Sequence, residues 1–275
     1  HNVNATTITL GTNDAQSSNT TLAISAAITV TGDIVSSGNA SIAGILDINE
    51  NTIFVDNIGT SSAAIERITV ITGKTATFKD SIYAGNITLE TAGTASTSAA
   101  FAFNGTANTA YTVTGKIDGQ EFGHGSITVN TGNVTFSSAI GSNMDLNTVT
   151  VADDAEMAIS NNISANGTIS VVGTLDVNAA VTLHTGGINI GENAETGSTL
   201  ETSNTITLTS DTVDAAADGA NMAFNNATIR LNGTHSSHAT SETGYIDIGT
   251  NNQTVTIQGN TTIDLALTSS VTGVT

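Results

Sequence analysis

Ile127-Thr128-Val129-Asn130-Thr131-Gly132-Asn133-Val134-Thr135-Phe136 sets two apolar–polar–apolar triplets on either side of a Thr-Gly-Asn separator. Side chains alternate across a strand, so the first and third residues of each triplet point one way and the middle one points the other. Each triplet is therefore a short strand with one buried side, and the separator is a corner where glycine supplies a positive φ. The triplet recurs with its first residue at Ile8, Ile28, Ile68, Ile87, Ile127, Val149, Ile169, Ile188, Ile206, Ile229, Ile246 and Ile263. Weaker copies near Ile48 and Tyr111 fill the two widest gaps. The mean step is about 20 residues, a solenoid period. Further strand candidates fall between them, among them Ile53-Phe54-Val55, Phe101-Ala102-Phe103 and Leu175-Asp176-Val177, and so do the corners Thr31-Gly32-Asp33, Asn104-Gly105 and Asn166-Gly167.

A unit this short cannot bury its own apolar side, but stacked units bury a continuous core and pair each strand with its equivalents above and below. The expected fold is all-β: a single parallel β-solenoid domain over residues 1–275. It has roughly 14 coils of about 20 residues each. An antiparallel β-sandwich, or a pair of them, is the alternative, since it too shows many short strands with frequent turn signals. Recurrence of one triplet at near-constant spacing favours the solenoid. The absence of proline agrees with it, because a strand with neighbours on both sides needs its N–H for the ladder.

Composition narrows the function. Lys and Arg number 5 against 24 Asp and Glu, a net charge of −19 that repels nucleic acid and anionic membrane surfaces. There is no cysteine, which removes disulfides, thiolate zinc sites, iron–sulfur clusters and cysteine nucleophiles together. No apolar run approaches the length of a membrane-spanning helix. The chain starts at His1 rather than Met, as expected where a signal segment has been removed or the chain trimmed. A cysteine-free, acidic, Thr/Asn-rich chain fits a secreted prokaryotic surface protein.

Ile127–Phe136 (ITVNTGNVTF), Asn166–Val177 (NGTISVVGTLDV) and Thr254–Thr262 (TVTIQGNTT) resemble the passenger regions of bacterial autotransporter adhesins, rickettsial surface antigens in particular. The resemblance implies a secreted β-solenoid at the cell surface. Those proteins end in a membrane-embedded barrel of long amphipathic strands, and Ser270–Thr275 departs from that pattern.

Four sets of residues raise chemistry. Gly123-His124-Gly125 and Asp153-Asp154 match elements of the polygalacturonases, which are also parallel β-helices. Their order is reversed here, and Thr228-Ile229-Arg230-Leu231 lacks the lysine of the Arg-Ile-Lys element, so no enzymatic activity is expected. His235 and His238, with Glu242 nearby, have the residue types of a transition-metal site but lie in a loop-like stretch. Asp14, Asp33, Glu90, Asp154, Glu192 and Asp211 each lie three to six positions after the first residue of a triplet. In register they form an acidic edge, either a solvated corner or a row bridged by Ca²⁺. Thr-x-Thr pairs such as Thr7/Thr9, Thr29/Thr31, Thr112/Thr114 and Thr148/Thr150 raise an ice-binding face as a further alternative. Asn-x-Ser/Thr sequons, among them Asn86, Asn104 and Asn166, permit attached glycans.

Strand-like pattern runs to both ends, and solenoid ends expose unpaired backbone unless something covers them. Residues 1–10 and 263–275 are thus expected to carry subunit contacts, through Ile8 and Leu10 at one end and Ile263, Leu265, Leu267 and Val271 at the other. The reading that follows is a secreted structural protein that polymerises head to tail as a filament, layer or matrix. An adhesin or ice-binding module is the alternative, and a polysaccharide-active enzyme the remotest one.

Overall fold

The computed structural model describes residues 2–11, 20–37, 43–92, 98–190 and 199–202, together with the backbone of short strands between Thr205 and Thr268. The strands are β1 (Val3–Leu10), β2 (Thr21–Ile24), β3 (Ile28–Ser36), β4 (Ile45–Ile48), β5 (Thr52–Phe54), β6 (Ile65–Val70), β7 (Thr75–Phe78) and β8 (Ile82–Leu89). Then follow β9 (Ala100–Asn104), β10 (Ala110–Gly119), β11 (Ser126–Phe136), β12 (Thr148–Val151), β13 (Ala155–Ile159), β14 (Ile163–Val171), β15 (Thr174–Val177), β16 (Val181–Ile190) and β17 (Thr199–Thr202). No helix occurs among the described residues, and none there is long and apolar enough to cross a membrane.

These strands stack in parallel as a β-solenoid. Val30 lies on Phe54, and the column continues through Phe78, Phe103, Val129, Val151 and Val171 to Ile190. The seven turns take 24, 24, 25, 26, 22, 20 and 19 residues in order. Two longer turns carry the column on to Phe224 and Ile257. The coils are thus fewer and larger than the 20-residue step implied, because each coil has three faces and all three are written in the same triplet.

Face I holds β2, β4, the ends of β6, β8 and β10, and the starts of β14 and β16. Face II holds the start of β3, then β5, β7, β9, the start of β11, β12, and the ends of β14 and β16. Face III holds the end of β3, the starts of β8 and β10, the end of β11, then β13, β15 and β17. The triplets at Ile127, Val149, Ile169 and Ile188 do stack on one another, on face II. Those at Ile68 and Ile87 stack on face I. Ile8, however, lies on Ile34 of face III rather than on Ile28, and Ile229 continues the face III column of Leu175 and Leu200.

Long strands pass from one face to the next through a bulged corner. In β11 the register shifts between Val129 and Thr131, and Gly132 there has φ 93°. Gly32 does the same in β3 at φ 116°, where an added Cβ would sit 1.9 Å from the Ala5 carbonyl oxygen. Alternate residues of β11 are buried, Ile127, Val129, Val134 and Phe136 among them, as the 2-residue period requires. Inside, Phe54 stacks on Phe78 at 5.3 Å and Phe78 on Phe101 at 4.8 Å, while Phe136 meets Phe101 edge-on at 6.2 Å.

Candidate functional site

The asparagines and aspartates that crowd the separators act largely as clips between coils. Asp56 Oδ2 accepts the Gly32 N–H at 2.7 Å, and Asp33 Oδ1 accepts the Asn57 N–H at 3.2 Å. Asn51 Oδ1 takes the Thr75 N–H at 2.8 Å, and both Asp118 oxygens engage Asn143. Each bond joins residues one coil apart, which satisfies corner N–H groups that a bulge releases from the ladder. Asp33 is therefore occupied in the fold itself. Asp154 is exposed in the turn after β12, several coils away, and Glu90 follows β8 on another face. The structure does not bring these three carboxylates together. Asp14, Glu192 and Asp211 lie outside the described residues, and among those that are described no cluster of three His, Cys, Asp or Glu is placed to hold a metal ion.

His124 sits at the corner between faces I and II, half-buried between Gly123 and Gly125. Its Nδ1 lies 2.8 Å from Thr91 Oγ1 and 3.1 Å from Ser98 Oγ, so the ring is tied to the preceding coil. Asp153 and Asp154 lie at a different corner, between faces II and III, and do not approach it. Near the same I/II corner His184 Nε2 and Asp145 Oδ2 are 3.7 Å apart, and the exposed Phe122 and Met144 occupy loops of consecutive coils. His235 and His238 lie outside the described residues, and Glu242 is placed by its backbone in a short strand.

The threonines fall on all three faces. Thr7/Thr9 and Thr112/Thr114 are on face III and Thr148/Thr150 on face II, so the strict Thr-x-Thr pairs make no common array. A looser pattern does. On face II the outward pairs Ser126/Thr128, Thr148/Thr150 and Thr168/Ser170 lie directly above one another, and Thr148 donates to Ser126 Oγ at 3.0 Å. Reading Ser with Thr would have found it in the sequence. Farther along the same face an open trough of about 460 Å³ is lined by Asn2, Thr29, Asn51, Ile53, Thr75 and Thr77.

The first coil supplies the remaining candidate. Among the described strands β1 pairs only with β3, and β2 only with β4. Peptide groups of a parallel strand point alternately to its two neighbours. The Leu10 carbonyl accepts from Ser37 of the next coil, and the Ile24 carbonyl from Asn49. The N–H and C=O of Thr9 and Ala23 accordingly point to the open side. Ile8, Leu22 and Ile28 pack against the core while remaining partly exposed, whereas Leu10 is 3% exposed. Of the residues expected at the opposite end, Ile263 pairs with Ile229 and Leu267 with Gly233; Leu265 and Val271 lie outside the described residues. No family model matches the chain, and no curated protein or solved structure matches it significantly.

Proposed function

We propose that the protein is a secreted structural subunit, a stiff rod that joins end to end through its terminal coils into an extracellular filament, surface layer or matrix, without catalysis. The observation that carries this reading is the edge of the first coil: outward peptide groups along β1 and β2 above partly exposed Ile8, Leu22 and Ile28. A coil of a second copy laid on this edge extends the ladder by the same bonds that join coils within the chain, and covers the same aliphatic residues. Backbone ladders and the aliphatic core supply stiffness, and the acidic, Thr/Asn-rich exterior keeps the rods hydrated. The likeness of the repeats to adhesin passenger regions supports the same placement at a cell surface.

Replacing Thr9 with proline removes one N–H from the open side and leaves the β1–β3 bonds in place. The T9P protein should melt within about 1 kcal/mol of the parent and form markedly shorter polymers in negative-stain images. Polymers of unchanged length would remove β1 from the joint.

A further inference from the structure

The charge of this chain is unevenly distributed over its three faces. Outward positions on face I include Asp47 and Asp118, and those on face III include Asp33, Glu156 and Asp176. On face II, from Ala27 to Asn189, the outward positions of the described coils hold no carboxylate at all, and Lys79 is the one charged residue among them. The rest are Thr, Ser, Ala, Asn, Val, Gly and Ile53, the last 37% exposed. Acids resume only at the margins, where Glu50 is paired with Lys74 at 2.7 Å and where Asp56, Asp80 and Asp153 follow the strands.

We propose that face II is a lateral contact between two copies of this chain, packed face to face about a two-fold axis. Charge identifies the occupant. Two bodies of −19 meet with least repulsion across the one face that presents no carboxylate. An uncharged centre with charge confined to the rim is also the usual anatomy of a protein interface. Area is sufficient: eight coils at about 4.8 Å, three outward positions wide, give about 500 Å² per copy, or about 1,000 Å² in all, the lower bound for a specific interface. Small hydroxyl and methyl side chains in straight columns allow two sheets to approach to about 10 Å and interdigitate, with Ile53 as the large apolar anchor. The contact does not depend on the end-on joint: one widens a rod and the other lengthens it.

Thr128 lies near the middle of the face, so a two-fold axis brings its copies close together. Sedimentation equilibrium of the full-length T9P protein, in which end-on growth is curtailed, should show a lateral dimer that strengthens as salt rises from about 0.02 M to about 0.5 M, since the acidic rims are then screened. Thr128→Glu should weaken that dimer at least about tenfold with an unchanged circular dichroism spectrum, whereas Thr112→Glu on face III should not. Because the chain has no cysteine, Thr128→Cys places a single thiol near the axis, and mild oxidation should give a disulfide-linked pair. A protein monomeric at every salt concentration, or a Thr128→Glu variant that pairs like the parent, overturns the proposal. So does a monomer whose face II instead produces a freezing hysteresis abolished by Thr128→Glu, which would assign the face to ordered water. Loss of end-on polymers in T9P with lateral pairs intact, or the reverse, separates the two contacts.

Discussion

At the scale of single residues the fold is most exacting where a coil turns. Gly141 has φ 69°, and a Cβ there would stand 2.1 Å from the Ser164 carbonyl oxygen of the next coil. Alanine at this position meets both a disfavoured backbone region and a backbone atom that cannot move without breaking the ladder. Gly141→Ala should destabilise the protein by about 2–4 kcal/mol, read from urea denaturation. The sequence marks such corners by composition alone: Thr31-Gly32-Asp33 and Thr131-Gly132-Asn133 are corners with left-handed glycines, as the separators implied. Asn166-Gly167 is also a corner, but Gly167 is required there because an added Cβ would stand 2.4 Å from the Asn147 carbonyl oxygen, not because of a positive φ. A dipeptide cannot distinguish the two, since both demand a missing Cβ. The aspartates illustrate the converse: Asp33, expected on an acidic edge, is an acceptor for the neighbouring coil, as Asp118 is at another corner.

At the scale of elements, strands are held less by their own length than by what stacks behind them. Strands β5, β7 and β12 are only three to four residues long, too short to persist alone. Phe78 is fully buried between Phe54 and Phe101, so it ties three consecutive coils together. Phe78→Ala should cost about 3–5 kcal/mol, and Phe78→Leu less than about half of that, because leucine refills most of the cavity. Calorimetry of both variants checks the order. The element-level misreading was of the same origin as the correct one: alternating Ile-Thr-Val reports a buried side, and three faces of one coil each bury a side. Ile8 and Ile28 are separated by 20 residues yet occupy different faces, so spacing alone assigned them to one column.

At the scale of the molecule, contacts reach only the coil above and the coil below, so stability should grow with the number of coils rather than appear all at once. A chain ending after Ile190 keeps the seven regular turns from Val30. It should remain folded by circular dichroism, with a denaturant slope reduced roughly in proportion to the surface lost. Retention of the spectrum with an unchanged slope would show that the removed coils do not add to the cooperative unit. The same one-dimensional plan leaves a coil edge and three long sides, and those are where the proposed end-on and lateral contacts lie.

The sequence by itself determined that the chain is all-β, that its strands are short with one buried side, and that glycine and Asx residues turn its corners. Backbone stereochemistry and the two-residue alternation are local, so they are written locally. Only the tertiary structure decided which triplet rests on which, that a turn has three faces, and that among the described residues the carboxylates avoid one of them. Those facts depend on the length of each corner, and because corners absorb turns of 19 to 26 residues within one column, the spacing between two triplets does not say whether they share a face.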